Sequence, residues 1–389
     1  MTVTRGREDV ATPGPPPGTG ARRHGPAATT TAIAAVVGLS VFVLILGGAL
    51  RPSTATDPSP SGSSASAPAP GTTPAATSPV PLPGASGERT RIPVGVDGTQ
   101  TLALTPDGST LLVGVYPPAS PSQSVQASTV VFLDAATGVS RGSVTTSRGI
   151  LGLVVSPDGR RAYATASVDD VVDVIDVPSR TVVARVPTGD FPEGIAIAPD
   201  GSTVYVAHYG SGTVVALDTA TNTVRASGPV GEDASDLALS PDGSTLVVGH
   251  DATVSVLDAA TLTVRTSLTA GRDLISALTF TADGRYAFIG TRGPQTDSGE
   301  IAILYMAEMR FPRRFTTRAL PLAFTAGPGV VYSAQRGTGG PGSILVTTYT
   351  GARPSPAPIG AEPSALALSP DGRLLYAVDG DEFVSVVRL

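Results

Sequence analysis

The stretch FPEGIAIAPDGSTVYVAHYGSGTVVALDTATNTVRASGPVG (residues 191–231) contains four short segments with the pattern of β-strands, separated by turn signals. The first segment ends at the turn Pro199–Gly201, in which proline presets φ and glycine supplies a positive φ that other residues resist. Two further segments follow, and the hairpin Asp218–Thr221 leads to the fourth. The stretch therefore predicts one four-stranded antiparallel unit.

The Pro-Asp-Gly turn recurs along the chain, and its spacing gives the number of units. The turn aspartates lie 51, 42, 42, 41 and 88 residues apart, at Asp107, Asp158, Asp200, Asp242, Asp283 and Asp371. The last interval equals two periods and contains a worn copy, LAFTAGPGVVYSA, at residues 322–334. Seven four-stranded units of this period predict a β-propeller, and the absence of tryptophan removes the WD dipeptide of WD40 blades.

The two ends of the repeat region predict how the ring closes. The last copy stops after its third strand, Phe383–Leu389, whereas Thr90–Gly95 matches the end of a repeat. We expect the segment around Ile92 to pair with the segment around Val386 and complete the last blade, since closure removes exposed sheet edges. The predicted fold class is all-β, a seven-bladed propeller over residues 89–389.

Residues 204–231, with the preceding FPEGIAIAPDGST (residues 191–203), resemble the YVTN-type β-propeller repeat. The resemblance covers about residues 90–389 and is strongest in blades two to four. It implies a seven-bladed, WD40-like architecture in exported or surface proteins. The family has no single activity, so the resemblance implies no catalytic residues.

Three segments of different composition precede the repeats. Residues 1–28 are polar and rich in Pro, Gly and Arg, which predicts a disordered cytoplasmic tail. Residues 29–50 carry no charge, and as a helix they would span roughly 33 Å, enough to cross a hydrocarbon core of about 30 Å. Residues 51–88 are almost entirely Pro, Ser, Ala, Thr and Gly, which predicts a disordered, extended extracytoplasmic linker.

The charges around residues 29–50 predict the orientation in the membrane. Four arginines precede this segment and only Arg51 closely follows it, so the positive-inside rule keeps the N terminus cytoplasmic. We therefore predict an uncleaved signal anchor in the lipid bilayer of the plasma membrane, with the propeller outside, on the cell-wall side of a bacterial surface. A cleaved signal peptide is the alternative, but its apolar core is usually shorter, about 7–15 residues.

Composition excludes several functions. From residue 90 onward the chain has 20 Arg and 28 Asp and Glu, a net charge of −8, which disfavours nucleic acid as a partner. The chain has no cysteine and hence no disulfide, thiolate metal site or cysteine nucleophile. The G-x-S-x-G string at residues 138–142 lies in a predicted hairpin, not in the strand-to-helix elbow that its chemistry needs. We predict no catalytic residue and no cofactor.

The two faces of the predicted propeller differ. We name loop face the side that carries the connections from strand two to three and from strand four to the next blade; the turn face carries the Pro-Asp-Gly turns and the strand three–four hairpins. The two–three loop is lengthened at Tyr116–Ser128, Thr291–Glu300 and Gln335–Ser343. Such insertions often mark a binding side, although surface loops also tolerate insertion without function. Because the linker enters at the turn-face end of a fourth strand, the loop face should point away from the membrane.

One loop-face position recurs eight residues after the turn aspartate, and the next position follows it around the ring. From these two positions we select seven candidate ligand- or partner-binding residues: His208, Tyr209, His250, Asp251, Arg292, Arg336 and Asp379. The two histidines do not predict a metal site, since neighbouring second strands should lie roughly 10 Å apart and no third ligand is evident. Arg292 and Arg336 are either a clamp for a carboxylate or phosphate or solvated side chains.

Blade five departs most from the repeat. Its region Tyr305–Phe315 gathers arginine, methionine and phenylalanine, a composition typical of interfaces, and repeat drift is the alternative explanation.

The leading functional hypothesis is a binding or scaffolding module for a protein, peptide or glycan of the envelope. An enzyme of the lactonase-like or dehydrogenase-like propeller kind, with a small-molecule pocket at the central channel, is the alternative. A purely structural envelope protein is the third hypothesis.

Overall fold

The computed structural model describes residues 89–118, 126–272, 274–292, 298–336, 342–349, 355–358, 363–380 and 382–389. Within these ranges no helix is long and apolar enough to cross a membrane. The predicted tail, signal anchor and linker (residues 1–88) lie outside the described residues, as do parts of the three lengthened loops.

The described chain is built from short β-strands. In order they are β1 Arg89–Pro93, β2 Thr99–Leu104, β3 Thr110–Val115, β4 Thr129–Asp134, β5 Ser140–Thr145, β6 Ile150–Val155, β7 Arg161–Ala166, β8 Val171–Asp176, β9 Thr181–Pro187, β10 Pro192–Ile197, β11 Thr203–His208, β12 Thr213–Asp218, β13 Thr223–Pro229, β14 Ala234–Leu239, β15 Thr245–His250, β16 Thr253–Asp258, β17 Val264–Thr269, β18 Ile275–Phe280, β19 Tyr286–Arg292, β20 Gly299–Tyr305, β21 Arg310–Thr317, β22 Leu320–Gly327, β23 Val330–Arg336, β24 Ser343–Thr348, β25 Ser355–Pro358, β26 Pro363–Leu368, β27 Leu374–Asp379 and β28 Phe383–Arg388.

These strands form seven four-stranded antiparallel sheets, the blades of a propeller. Blade one is β2–β5, and blades two to six follow in chain order up to β25. Blade seven has the order β26-β27-β28-β1, so its outer strand comes from the start of the repeat region. The first strand of each blade contacts the first strand of the next, and β26 contacts β2, which closes a ring around a central channel. The predicted seven-bladed architecture is confirmed.

The closing strand has the register that the sequence predicts. Thr90 pairs with Val386 and Ile92 with Val384 in an antiparallel arrangement. Ile92 is buried in the apolar cluster that joins blades seven and one. Burial of this side chain therefore couples the two ends of the chain.

Polar contacts reinforce the closure. Arg91 Nε lies 3.0 Å from Oδ2 of the buried Asp379, and its guanidinium lies 4.0 Å from the centre of the Phe383 ring.

On the turn face, Gly108 has a φ of 70° and lies so close to Pro370 that a Cβ at this position would be 3.1 Å from the proline ring. Glycine therefore serves both the turn and the close contact between blades.

The core lies between the blades. Strands two and three are covered on both sides and are largely apolar; β3 is buried at all six positions, whereas the outer strand β5 is exposed at five of six. The apolar clusters join side chains of neighbouring blades, as Tyr163 of blade two packs with Val206 of blade three. The ring is thus a series of face-to-face sheet contacts.

The Pro-Asp-Gly turns are held by their own aspartates. Asp107 accepts hydrogen bonds from Thr105 Oγ1 at 2.6 Å and from the backbone N–H of Ser109 at 3.0 Å. These bonds lower the pKa of the Asp107 carboxyl, with the Thr105 bond the largest cause. A Ser or Thr two residues before the aspartate recurs in most copies, so the repeat preserves the turn chemistry as well as the apolar pattern.

Candidate functional site on the loop face

The ends of the second strands form a buried ring beneath the loop face. The seven residues at this position are all at most 9% exposed: Val115, Ala166, His208, His250, Thr291, Gln335 and Asp379. The incoming connection from the preceding blade covers them, since a Cβ at Gly189 would lie 3.1 Å from His208 Cδ2. The predicted site residues His208, His250 and Asp379 are therefore inside the blades and not at the surface.

The two histidines differ in their surroundings. His250 Nε2 lies 2.9 Å from Ser255 Oγ, which in turn lies 2.9 Å from Ser267 Oγ. Neither ring nitrogen of His208 is in hydrogen-bonding geometry with a described residue, and burial lowers the pKa of His208 to about 4. Burial also lowers the pKa of His250. Both rings are therefore neutral at pH 7.

Asp379 has a role in ring closure. Its carboxylate accepts a hydrogen bond of 2.6 Å from Ser385 Oγ and pairs with Arg91 of the closing strand. Asp379 and Ser385 occupy the same positions in blade seven as His250 and Ser255 in blade four. Blades four and seven thus each hold a buried polar pair at this position.

The next position brings side chains to the surface. Tyr209 and Arg336 are partly buried, whereas Asp251 and Arg292 are exposed. Tyr209 and Asp251 lie on blades three and four, and the two arginines lie on blades five and six. In the described part of the chain no group of three or more His, Asp or Glu residues is arranged to hold a metal ion.

Tyr209 and Asp251 belong to a larger group that we name the loop-face cluster: Glu193, Tyr209, Asp233, Asp236 and Asp251. Burial raises the pKa of Tyr209 to about 12, with further contributions from the Asp233, Glu193 and Asp251 carboxylates. Burial also raises the pKa of Asp233, and the neighbouring Asp251 adds to this. The cluster thus gathers acidic side chains on blades three and four.

Glu193 and Asp236 lie on the innermost strands β10 and β14 of these two blades. Asp236 Oδ2 accepts a 2.7 Å hydrogen bond from the N–H of Leu278 on blade five. Burial raises the pKa of Asp236 to about 7. Burial, followed by the charges of Asp236 and Asp233, raises the pKa of Glu193 to about 8. Both carboxyls therefore carry protons at a pH where free carboxyls are ionised.

Close backbone packing brings these two carboxyls together. A Cβ at Gly194 would lie 2.8 Å from Asp236 Cα, so only glycine allows β10 and β14 to approach this closely. The approach sets Glu193 beside Asp236 at the loop-face end of the channel.

Phe191 adds an aromatic side chain to this region at a cost in backbone strain. It has a φ of 55°, whereas the same position is Gly98 in blade one and Gly149 in blade two. A bulky residue in this conformation is unusual and typically occurs at functional sites. The Phe191 ring makes an edge contact with Tyr209, with ring centroids 6.0 Å apart.

Tyr209 and Asp251 are predicted from the sequence, whereas Phe191, Glu193, Asp233 and Asp236 are not. The available signal was the repeat alignment of the first strand. Where blade three has Glu193, five other blades have the uncharged residues Gln100, Leu151, Ser235, Ser276 and Ser364. A single charged residue on the innermost strand departs from the repeat and indicates the channel mouth.

No protein-family model and no curated protein matches this sequence. Among solved structures, the chain is similar to Kuenenia stuttgartiensis hydrazine synthase, with a TM-score of 0.61 and 24% sequence identity. The match covers 76% of this chain and 96% of that chain. At this level of identity the similarity concerns the fold alone, and with the seven described blades it makes this chain a β-propeller.

Proposed function

We propose that this chain is a membrane-tethered β-propeller of the YVTN type that binds an envelope protein, peptide or glycan through its loop face. Residues 29–50 anchor it, residues 51–88 extend it from the bilayer, and the loop face points outward. A propeller of this kind offers a rigid platform on which exposed loop residues form a binding surface.

The observation that carries the proposal is the convergence of Phe191 with the loop-face cluster. Two aromatic rings and several carboxyl groups meet at one place, and one ring is held by a strained backbone. Aromatic faces and carboxyl groups bind sugar rings, hydroxyls and basic side chains. The equivalent residues Gly98, Gly149 and Asp233 also have a positive φ, so the conformation belongs to the repeat and the bulky aromatic side chain is the departure, which supports a role in binding.

Proximity labelling on intact cells tests the binding face. The wild-type chain is compared with a Phe191→Gly/Tyr209→Ser variant, and Val139→Ser on the turn face is the control, since Val139 is 63% exposed. We expect the double variant to lose specific neighbours and the control to keep them. An unchanged set of neighbours for the double variant would contradict binding through this region.

The tether is tested separately by protease treatment of intact cells. Cleavage within residues 51–88 should release a fragment that contains the whole propeller, because the strands form a closed ring. A chain that resists the protease until the cells are lysed would contradict external display.

An enzyme with a pocket at the channel is the second candidate, favoured by the protonated carboxyls of Glu193 and Asp236. A carboxyl group with a raised pKa can act as a general acid, for example in lactone hydrolysis. Turnover of a small lactone that disappears in Glu193→Gln would support this candidate, and the absence of turnover in a lactone panel would remove its lactonase form.

A further inference from the structure

Two clefts on the turn face occupy equivalent places in the repeat. Each lies between the Pro-Asp-Gly turns of neighbouring blades, one between blades one and two and the other between blades four and five. Their volumes are similar, about 440 and 510 Å³. The first has Val177 as its one apolar side chain besides proline, whereas the second is lined by Phe280, Met306 and Met309.

The hairpin that carries the two methionines lacks the hydrogen-bonded aspartate of other blades. In blade three, Asp218 accepts a 2.8 Å hydrogen bond from the N–H of Thr221, and blades one and four repeat this contact. In blade five the corresponding residues are Tyr305 and Glu308, and Met306 and Met309 stand where blade three has Thr219 and Asn222.

Both methionine side chains pack partly against the apolar cluster that contains Phe280. Met309 has a φ of 48°, in the region that glycine occupies at the same place in blade one, Gly138 with a φ of 72°. Methionine is flexible and polarizable and adapts to varied apolar partners.

Carboxylates complete the cleft. Hydrogen bonds from Ser240 and Ser244 lower the pKa of Asp242. Burial raises the pKa of Asp283, but the hydrogen bonds from Thr281 and from the N–H of Arg285 lower it by more in total. The pKa of Asp283 is therefore below its ordinary value. Both groups are therefore anionic at neutral pH, beside an apolar floor.

We propose that this cleft binds a peptide segment in which an apolar side chain lies next to a lysine or arginine. The apolar side chain contacts Phe280 and the two methionines. The cation pairs with Asp242, or with Asp283 in competition with Arg285, whose Nε lies 4.0 Å from Asp283 Oδ2. This site lies on the face opposite the loop-face cluster and does not depend on the function proposed for that face.

Methionine methyl groups give a direct readout. The chain has three methionines, and two of them line the cleft. In full-length chain labelled with [methyl-¹³C]methionine, titration with acetyl-Gly-Arg-Leu-Gly-amide should shift the Met306 and Met309 resonances saturably and leave Met1 unchanged. Met306→Leu assigns the signals.

A matched peptide and matched variants decide the result. Acetyl-Gly-Glu-Leu-Gly-amide should bind at least about tenfold more weakly, since it places a like charge beside the two carboxylates. Asp242→Asn/Asp283→Asn should remove this preference, and Asp107→Asn in the cleft of blades one and two should leave it intact. Equal shifts with both peptides, or no saturable shift, would overturn the proposal.

Discussion

Blade three follows the repeat sequence but contains energetically unfavourable groups, whereas blade five departs from the repeat sequence but makes favourable contacts. Blade three follows the repeat closely, yet it contains an unpartnered buried histidine, a carboxyl that retains its proton and a strained phenylalanine. Blade five departs from the repeat at most of its turns, yet several of its substitutions bring their own contacts. Tyr305 packs on Tyr286 with ring centroids 4.7 Å apart.

Arg314 shows the same behaviour on the outer edge of blade five. It donates hydrogen bonds to the carbonyl oxygens of Thr269 and Ala270 and pairs with Glu300 at 3.1 Å. A residue that follows the repeat therefore does not necessarily stabilise the fold, and one that departs from it does not necessarily destabilise the fold. Unfavourable groups in a regular blade indicate selection for something other than stability.

The largest expected effect tests the cost of Glu193. The carboxyl has an ordinary pKa of 4.5 and a pKa of about 8 in the folded chain. Between these values the unfolded chain releases a proton that the folded chain retains, so stability is full below pH 4.5 and is lost as the pH rises towards 8. Glu193→Gln removes this pH dependence. We therefore expect the stability of the variant relative to wild type to be about 3 kcal/mol more favourable at pH 8 than at pH 5, allowing for water in the channel.

Urea unfolding at the two pH values measures this difference. Glu232→Gln is the control, because Glu232 is an exposed carboxylate on the same face. If Glu193→Gln and the control respond to pH alike, the carboxyl of Glu193 is not held protonated in the channel.

The next effect concerns the unpartnered His208. In blade four the partner of the histidine is Ser255, and the equivalent residue in blade three is Val215. Val215→Thr keeps most of the volume and places a hydroxyl within reach of His208. The matched control is Val131→Thr in blade one, where the ring position is the apolar Val115. We expect Val215→Thr to cost about 1 kcal/mol less stability than Val131→Thr.

The two valines have equivalent surroundings in their blades, so the two variants can be compared directly. Val131 and Val215 are both buried, and each faces a serine of the outer strand, Ser143 or Ser227. Thermal unfolding of the two variants gives the difference directly. Equal losses of stability would show that His208 gains nothing from a hydroxyl at this place.

The propeller itself was predictable from the sequence because its determinants are local and repeated. The period of the Pro-Asp-Gly turn gives seven blades, and the match between Thr90–Gly95 and the end of a repeat gives the closing strand. Both depend on turn chemistry and on apolar strand patterns that each copy carries locally, and comparison of the copies gives their number and their order.

The site was only partly predictable because its properties arise between blades. His208 and His250 were expected at the rim, but the connection from the preceding blade covers them. The pKa of Glu193 depends on Asp236 of the next blade, which lies 43 positions further along the chain. Burial of this kind requires the packing of two units, and one unit alone does not specify it.

The smallest effect tests whether blade five has replaced the regular turn by an equivalent contact. Ala282 stands where five copies have proline, and its N–H donates a 3.0 Å hydrogen bond to the hydroxyl of Tyr349 in blade six. Ala282→Pro removes this bond but restricts the unfolded chain, so the two contributions of about 1 kcal/mol each should nearly cancel. In a Tyr349→Phe background the bond is already absent, and the same substitution should stabilise the chain by about 0.5–1 kcal/mol. A double-mutant cycle by urea unfolding measures the coupling. A coupling near zero would mean that the departure of blade five from the repeat at this turn has no energetic compensation from Tyr349.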